Sequence, residues 1–152
     1  MLFRRILYPY DFEEGSKKVK PYIVKLKEAG CVEVHILYVL DPSKWGLIPK
    51  DNFNTEEKIS LLRGNLDAGS VDGLKRRLRG MEELAEEFRK YGIKASVAMI
   101  PGNVDEVISN YAEKNDIKLI ALGVSESSLS FFNIGKIVDI IKASTKPLLI
   151  VK

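Results

Sequence analysis

Residues Gly123–Lys136 read GVSESSLSFFNIGK, with glycines near both ends and four serines between them. Glycines let a backbone come close to phosphate oxygens, and a helix starting behind such a loop offers its free N–H groups to an anion. Glu126 puts a carboxylate into the same stretch. The residues therefore pose a choice between a nucleotide loop and a phosphate loop that has lost its ligand.

Few other chemistries have the residues they need. His35 is the only histidine and Cys31 the only cysteine. Four positions apart on a strand, they are roughly 13 Å from each other and form no local Cys–His pair. A His- or Cys-rich zinc site and an internal disulfide are both excluded on these counts. No G-x-S-x-G elbow, Walker A or G-x-G-x-x-G occurs. Asp11, at the end of the first apolar run, raises a phosphoacceptor receiver, but the third run ends in AMIPG without a second aspartate. His35 is accordingly read as a buried or edge strand residue without catalytic duty.

Composition narrows the partners. The chain has 152 residues, a net charge of +3, 45% hydrophobic and 30% charged residues. That is a single domain with room for a core and too little charge to make nucleic acid or membrane its main partner. The basic run LKRRLRG at 74–80 precedes the acidic MEELAEEF, and together they read as one solvated helix face. No apolar run reaches the ~18 residues of a membrane span and no leader pattern opens the chain, so a cytoplasmic protein with a reduced thiol is expected.

Five apolar runs, near 3–9, 32–40, 93–100, 117–123 and 147–151, read as strands covered on both faces. Between them lie helical stripes. Val19, Tyr22, Ile23 and Leu26 form the first, starting near Ser16 or Lys17 because of Pro21 and stopped by Gly30. Leu74, Leu78, Met81, Ala85 and Phe88 form the second. A third helix opens at Asn103, with Glu106 completing a capping-box pattern. Ile134, Ile137, Val138 and Ile141 line the last helix as its core face. Residues 41–73 fit this alternation worst and read as a variable, mobile segment with one helical piece near 55–62, anchored on the domain surface by Trp45 and Phe53.

The alternation predicts a parallel sheet with right-handed crossovers and helices on both faces. A ligand then lies beyond the carboxyl ends of the strands, where strand order reverses. With the first strand central, Pro9-Tyr10-Asp11 and Leu122-Gly123 face each other across that crevice.

The segments RRILYPYDFEEGSKK, VHILYVLD, IPGNVDEVISNYAEKNDIKLIALG and STKPLLIVK, in this order and spacing, resemble the universal stress protein family over nearly the whole chain. The resemblance implies a Rossmann-like, adenine nucleotide alpha hydrolase-like α/β/α domain spanning residues 1–152, with a five-stranded parallel sheet of order 3-2-1-4-5. It implies a homodimer paired through the final strand, Pro147, Leu148, Leu149, Ile150 and Val151. One branch of the family binds ATP through a G-2x-G-9x-G-[ST] signature; the other lacks it. On that pattern Asp11 matches the acid near the ribose, Pro9 the proline beside it, and Tyr10 replaces a small residue. Val39 matches the residue whose backbone reads adenine, and Gly123 the first signature glycine. Glu126 stands at the second glycine. Eight residues rather than nine lead to Gly135, and Lys136 replaces Ser or Thr.

A carboxylate about 5 Å from a phosphate charge costs roughly 3 kcal/mol at an effective dielectric near 20. Lys136 either offsets this by meeting phosphate or pairs with Glu126 and closes the site. The expectation is a non-catalytic dimeric stress-response or regulatory module without tightly held ATP and with no assigned cofactor. The alternative is an adenine-nucleotide switch holding ATP or AMP in a remodelled loop. A weak nucleotide hydrolase, with Asp11 holding a metal, has one placed acid and no general base.

Overall fold

The computed structural model describes residues 2–126 and 132–152. Five parallel strands, β1 (Arg5–Pro9), β2 (Glu33–Leu40), β3 (Lys94–Pro101), β4 (Leu119–Gly123) and β5 (Leu148–Val151), form one sheet of order β3-β2-β1-β4-β5. The expected order and the five expected runs are thus observed, the first and fourth runs beginning two residues late.

Side chains alternate across a strand, and here both faces are apolar. Ile6 and Tyr8 of β1, with Val34, Ile36 and Tyr38 of β2, pack under α2 (Lys20–Leu26) and α5 (Ala68–Lys90). Leu7, Leu37, Val39, Ile120 and Leu122 pack under α6 (Val104–Lys114) and α7 (Ile134–Ala143) on the other face. Double-sided burial is why the strands read as near-continuous apolar runs.

The helices differ from their sequence stripes in instructive ways. The first helical region is split into α1 (Glu14–Lys17) and α2, with Pro21 in the first turn of α2, where its missing N–H is harmless. Val19 and Ile23 are buried, but Tyr22 is 52% exposed. Asn103 is the N-cap of α6, yet its side chain makes no cap hydrogen bond. In α7 the core face is Ile137 and Ile140. Ile134, Val138 and Ile141, expected in the core, are exposed by 69%, 41% and 46%. A 3.6-residue period identifies a stripe, but several overlapping stripes exist on so apolar a helix, and the sheet selects one.

Residues 41–73 return to the body of the molecule through α3 (Pro42–Trp45) and α4 (Glu56–Ser60). Trp45 and Phe53 do anchor the segment, but inside the main core rather than on its surface, together with Ile59 and Leu62. The Trp45 indole N–H donates to the Tyr38 hydroxyl at 3.2 Å. The long helix starts at Ala68, earlier than its apolar stripe, because the Asp67 side chain accepts the Ser70 N–H at 2.7 Å and caps it.

The two sheet edges are treated differently. At β3, the Met99 N–H donates to Asn52 Oδ1 (2.9 Å) and its carbonyl accepts from the Phe53 N–H (2.8 Å), so the chain covers its own edge. Among the described residues, β5 pairs only with β4, and no other strand lies on its outer edge.

Candidate functional site

The carboxyl ends of β1 and β4 meet as the strand order requires, but through glycine. Gly123 closes β4 and Gly15 sits in α1. A Cβ on Gly123 would lie 1.8 Å from the Gly15 carbonyl oxygen, and one on Gly15 would lie 2.5 Å from the Val124 carbonyl oxygen. The open side of Gly123 is therefore filled by the backbone of α1. Tyr8 holds that helix down, its hydroxyl donating to the Ser16 carbonyl from the sheet below. Burial, followed by the charges of Tyr10 and Asp11, pushes the Tyr8 phenol far above its ordinary range, so it stays a neutral donor.

Pro9 is buried at the end of β1. Tyr10 bonds the Leu37 carbonyl through its N–H at 2.8 Å. Its half-buried ring packs edge-on between Tyr8 (5.5 Å) and Phe12 (4.8 Å). Phe12 has φ 67°, a left-handed conformation that is uncommon for a bulky residue. It persists because the ring is fixed on three sides: by Tyr10, by Tyr38 at 5.7 Å, and by Gly80, where a Cβ would come within 3.2 Å of it. Asp11 turns back into its own loop, its Oδ1 accepting from Ser16 Oγ (2.7 Å) and the Glu13 N–H (3.0 Å). Val39 is buried beneath α6 and α7.

At the start of α7, the Asn133 side chain accepts the Lys136 N–H at 3.0 Å. One of the N–H groups that an anion would seek is thus already bonded. Gly135 is exposed, with Asn133 Oδ1 3.4 Å from where its Cβ would stand. Glu126 is exposed and forms no ion pair with the half-buried Lys136, so the closing pair considered from sequence is not made. Ser127, Ser128 and Ser130 of the loop lie outside the described residues.

Beside this loop is a cavity of about 610 Å³. Its charged walls are Glu13, Glu14 and Glu126 against Lys18 and Lys152. Asp11, Val39 and Lys136 do not line it. Sequence reasoning named Glu126 but missed Glu13, Glu14, Lys18 and Lys152. The charged run EEGSKK directly after Asp11 was the available signal, whereas the approach of Lys152 required the sheet. Among the described residues, no group of three or more His, Cys, Asp or Glu side chains could hold a metal ion, and no helix is long and apolar enough to cross a membrane.

A model of the universal stress protein family matches residues 2–152. The chain is 26% identical over 159 residues to a universal stress protein of Methanocaldococcus jannaschii, covering all of this chain and 96% of that one. The solved structure of that protein superposes with a TM-score of 0.69 at 24% identity, covering 100% and 97% of the two chains. Similar folds occur in an Arabidopsis thaliana family protein with AMP bound (TM-score 0.59, 12% identity, 97% and 90% covered) and in a universal stress protein in complex with cAMP (TM-score 0.59, 11% identity, 99% and 98% covered). With the family model spanning the chain and the 3-2-1-4-5 sheet behind it, this protein belongs to the universal stress protein family.

Proposed function

We propose that the chain acts as a non-catalytic, dimeric stress-response or regulatory module that does not hold ATP tightly. The acidic wall of the cavity beside the loop carries this reading: three carboxylates, Glu13, Glu14 and Glu126, face two lysines where a triphosphate would need the reverse balance. The Gly15 backbone against Gly123 and the Asn133 cap on Lys136 support it, since both occupy groups a phosphate would use. Asp11, Pro9, Tyr10, Val39, Gly123, Glu126, Gly135 and Lys136 remain the candidate nucleotide residues.

The second reading is an adenine-nucleotide switch, favoured by the AMP and cAMP bound in the two structural relatives. Titration calorimetry with ATP, ADP and AMP separates the two, with mass spectrometry for a nucleotide that co-purifies. The module reading expects no low-micromolar binding by wild type and little gain from Glu126→Gly, because the loop is also one residue short. The switch reading expects ten- to a hundredfold tighter ATP binding in Glu126→Gly, following the charge estimate. It also expects weaker binding in Lys136→Ala. Low-micromolar ATP binding by wild type would overturn the module reading.

The dimer is supported by the asymmetry of the edges. Asn52 and Phe53 cover β3 at Met99, while among the described residues no strand covers β5. At 100° per residue, Ile134, Val138 and Ile141 fall within about 60° of one another. They lie about a quarter-turn from the buried face and opposite Ala143, whose carbonyl accepts Ser109 Oγ of α6 at 3.0 Å. The stripe is exposed, as is Ile150 of β5 at 37%. An edge strand and exposed apolar side chains offer a surface that a second copy can cover by a two-fold.

A further inference from the structure

Another cavity, of about 540 Å³, lies between residues 50–52 and α6, with Ile100 and Pro101 of the edge strand β3 in its wall. Asp11, Val39, Gly123 and Lys136 do not line it, so it is distinct from the candidate nucleotide site. Gly102 closes its strand end. The chain turns there with φ 139°, and a Cβ would stand 2.7 Å from Val107 Cγ2, so the turn lies directly on α6. The volume is that of a small-molecule pocket.

Four asparagine amides converge on this cavity. Asn52 is fixed by its Oδ1, which accepts the Met99 N–H at 2.9 Å. Asn115 is fixed by its Nδ2, which donates to the Tyr111 carbonyl at 2.9 Å. The first is thus left with donors to offer and the second with an acceptor. Asn103 and Asn110 make no side-chain hydrogen bond among the described residues. The capping box expected at Asn103 and Glu106 is therefore not closed, and both side chains stand at the cavity instead. At 100° per residue, Glu106, Asn110 and Lys114 fall within about 80° on one face of α6. Neither Glu106 nor Lys114 has an ion-pair partner among the described residues.

Lys50 and Lys114 balance Asp51 and Glu106 around the cavity, and Asp51 is also paired with Lys58 at 3.4 Å. Walls of both signs with several neutral amides favour neither an anion nor a cation. We propose that this cavity binds a neutral, hydroxyl-rich small molecule, a sugar or cyclic polyol. A hydroxyl both donates and accepts, and so does a carboxamide, so each satisfies the other in more than one orientation. The half-buried Ile100 and the buried Pro101 and Val107 supply apolar wall for the C–H face of a sugar ring. Tyr111, held by its hydroxyl on His35 Nδ1 at 2.5 Å, adds an aromatic ring. Amides scattered over a surface meet only water, whereas these are gathered around one partly apolar hollow.

The test is a heteronuclear NMR titration of the full chain with glucose, myo-inositol and maltose. It is read at the side-chain amide signals of Asn52, Asn103, Asn110 and Asn115. Saturable shifts are expected with at least one of the three by about 50 mM, well above a millimolar Kd. Saturation by glucose or myo-inositol assigns a single ring; saturation by maltose alone assigns a longer saccharide. Asn103→Ala and Asn110→Ala should each weaken binding about fivefold, roughly the loss of one hydrogen bond. Both side chains are exposed and unbonded, so these variants keep the fold. Lys90→Gln, at the exposed end of α5, should leave binding unchanged. Three results would overturn the proposal: no saturable shift with any of the three compounds, equal shifts from glycine (a zwitterion without hydroxyls), or titrations unaltered in both asparagine variants. ATP calorimetry at the loop is read independently, so the two proposals fail separately.

Discussion

Glu33 shows how much a single side chain can organise. Its Oε2 accepts from Arg5 Nε at 3.1 Å and faces His35 Nε2 at 2.5 Å, while His35 Nδ1 meets the Tyr111 hydroxyl at 2.5 Å. Burial works against the Glu33 charge, but the hydrogen bonds and charges of His35 and Arg5 outweigh it and hold the carboxyl below its usual range. Burial, with the Glu33 charge, pushes the Tyr111 phenol up to about 12, so it remains a neutral bridge to α6. A folded pKa below the unfolded one gives stability that is complete above the ordinary carboxylate range and is lost as pH falls through the lowered value. Glu33→Gln should therefore lower stability at pH 7 by about 1–2 kcal/mol. It should also flatten the loss of Tm between pH 5 and 3. An acid limb as steep in the variant as in wild type would show that Glu33 is not its source. His35 was legible in the sequence as a non-catalytic strand residue, buried or at an edge, and Glu33 two places before it must share its face. Tyr111 was not legible, since only the packing of α6 on β2 brings it there.

Among the elements, the contact between α1 and β4 is the one that tolerates least. Gly123 was read as a residue for phosphate approach; its backbone neighbour is Gly15, and any side chain collides with main chain that cannot rotate away. Gly123→Ala should cost about 3 kcal/mol or more, at the upper end for overpacking. Thermal unfolding measures this directly, and a change within about 0.5 kcal/mol would mean that α1 shifts freely. Asn133→Ala should cost about 1 kcal/mol through the lost cap on α7. Residues 41–73 read as a variable segment with one helical piece near 55–62 because their anchors, Trp45, Phe53, Ile59 and Leu62, have no regular period. Their spacing follows a path over the sheet rather than one helix face. Hydrogen exchange should divide the segment: fast at 46–51, where Leu47 is 88% exposed, and slow at Phe53, whose N–H is bonded to Met99.

For the whole molecule, the decisive question is what covers the β5 edge. Leu149 packs toward the main core, whereas Ile150 is partly exposed. Ile150→Lys and Val138→Lys should each convert a solution dimer to monomer with little change in the fold. Light scattering at micromolar concentration reads the outcome, and a monomeric wild type would sink the dimer. The sequence by itself determined the alternating parallel architecture, both apolar faces of the sheet and the family resemblance that implied the strand order, because these rest on runs and motifs that survive without coordinates. Only the tertiary structure decided that Gly123 faces Gly15, that Lys152 and Glu13 share a cavity, and that α7 turns Ile140 inward and Val138 outward. Each of these depends on which surfaces the folded sheet brings within a few ångströms, and local periodicity carries no record of that distance.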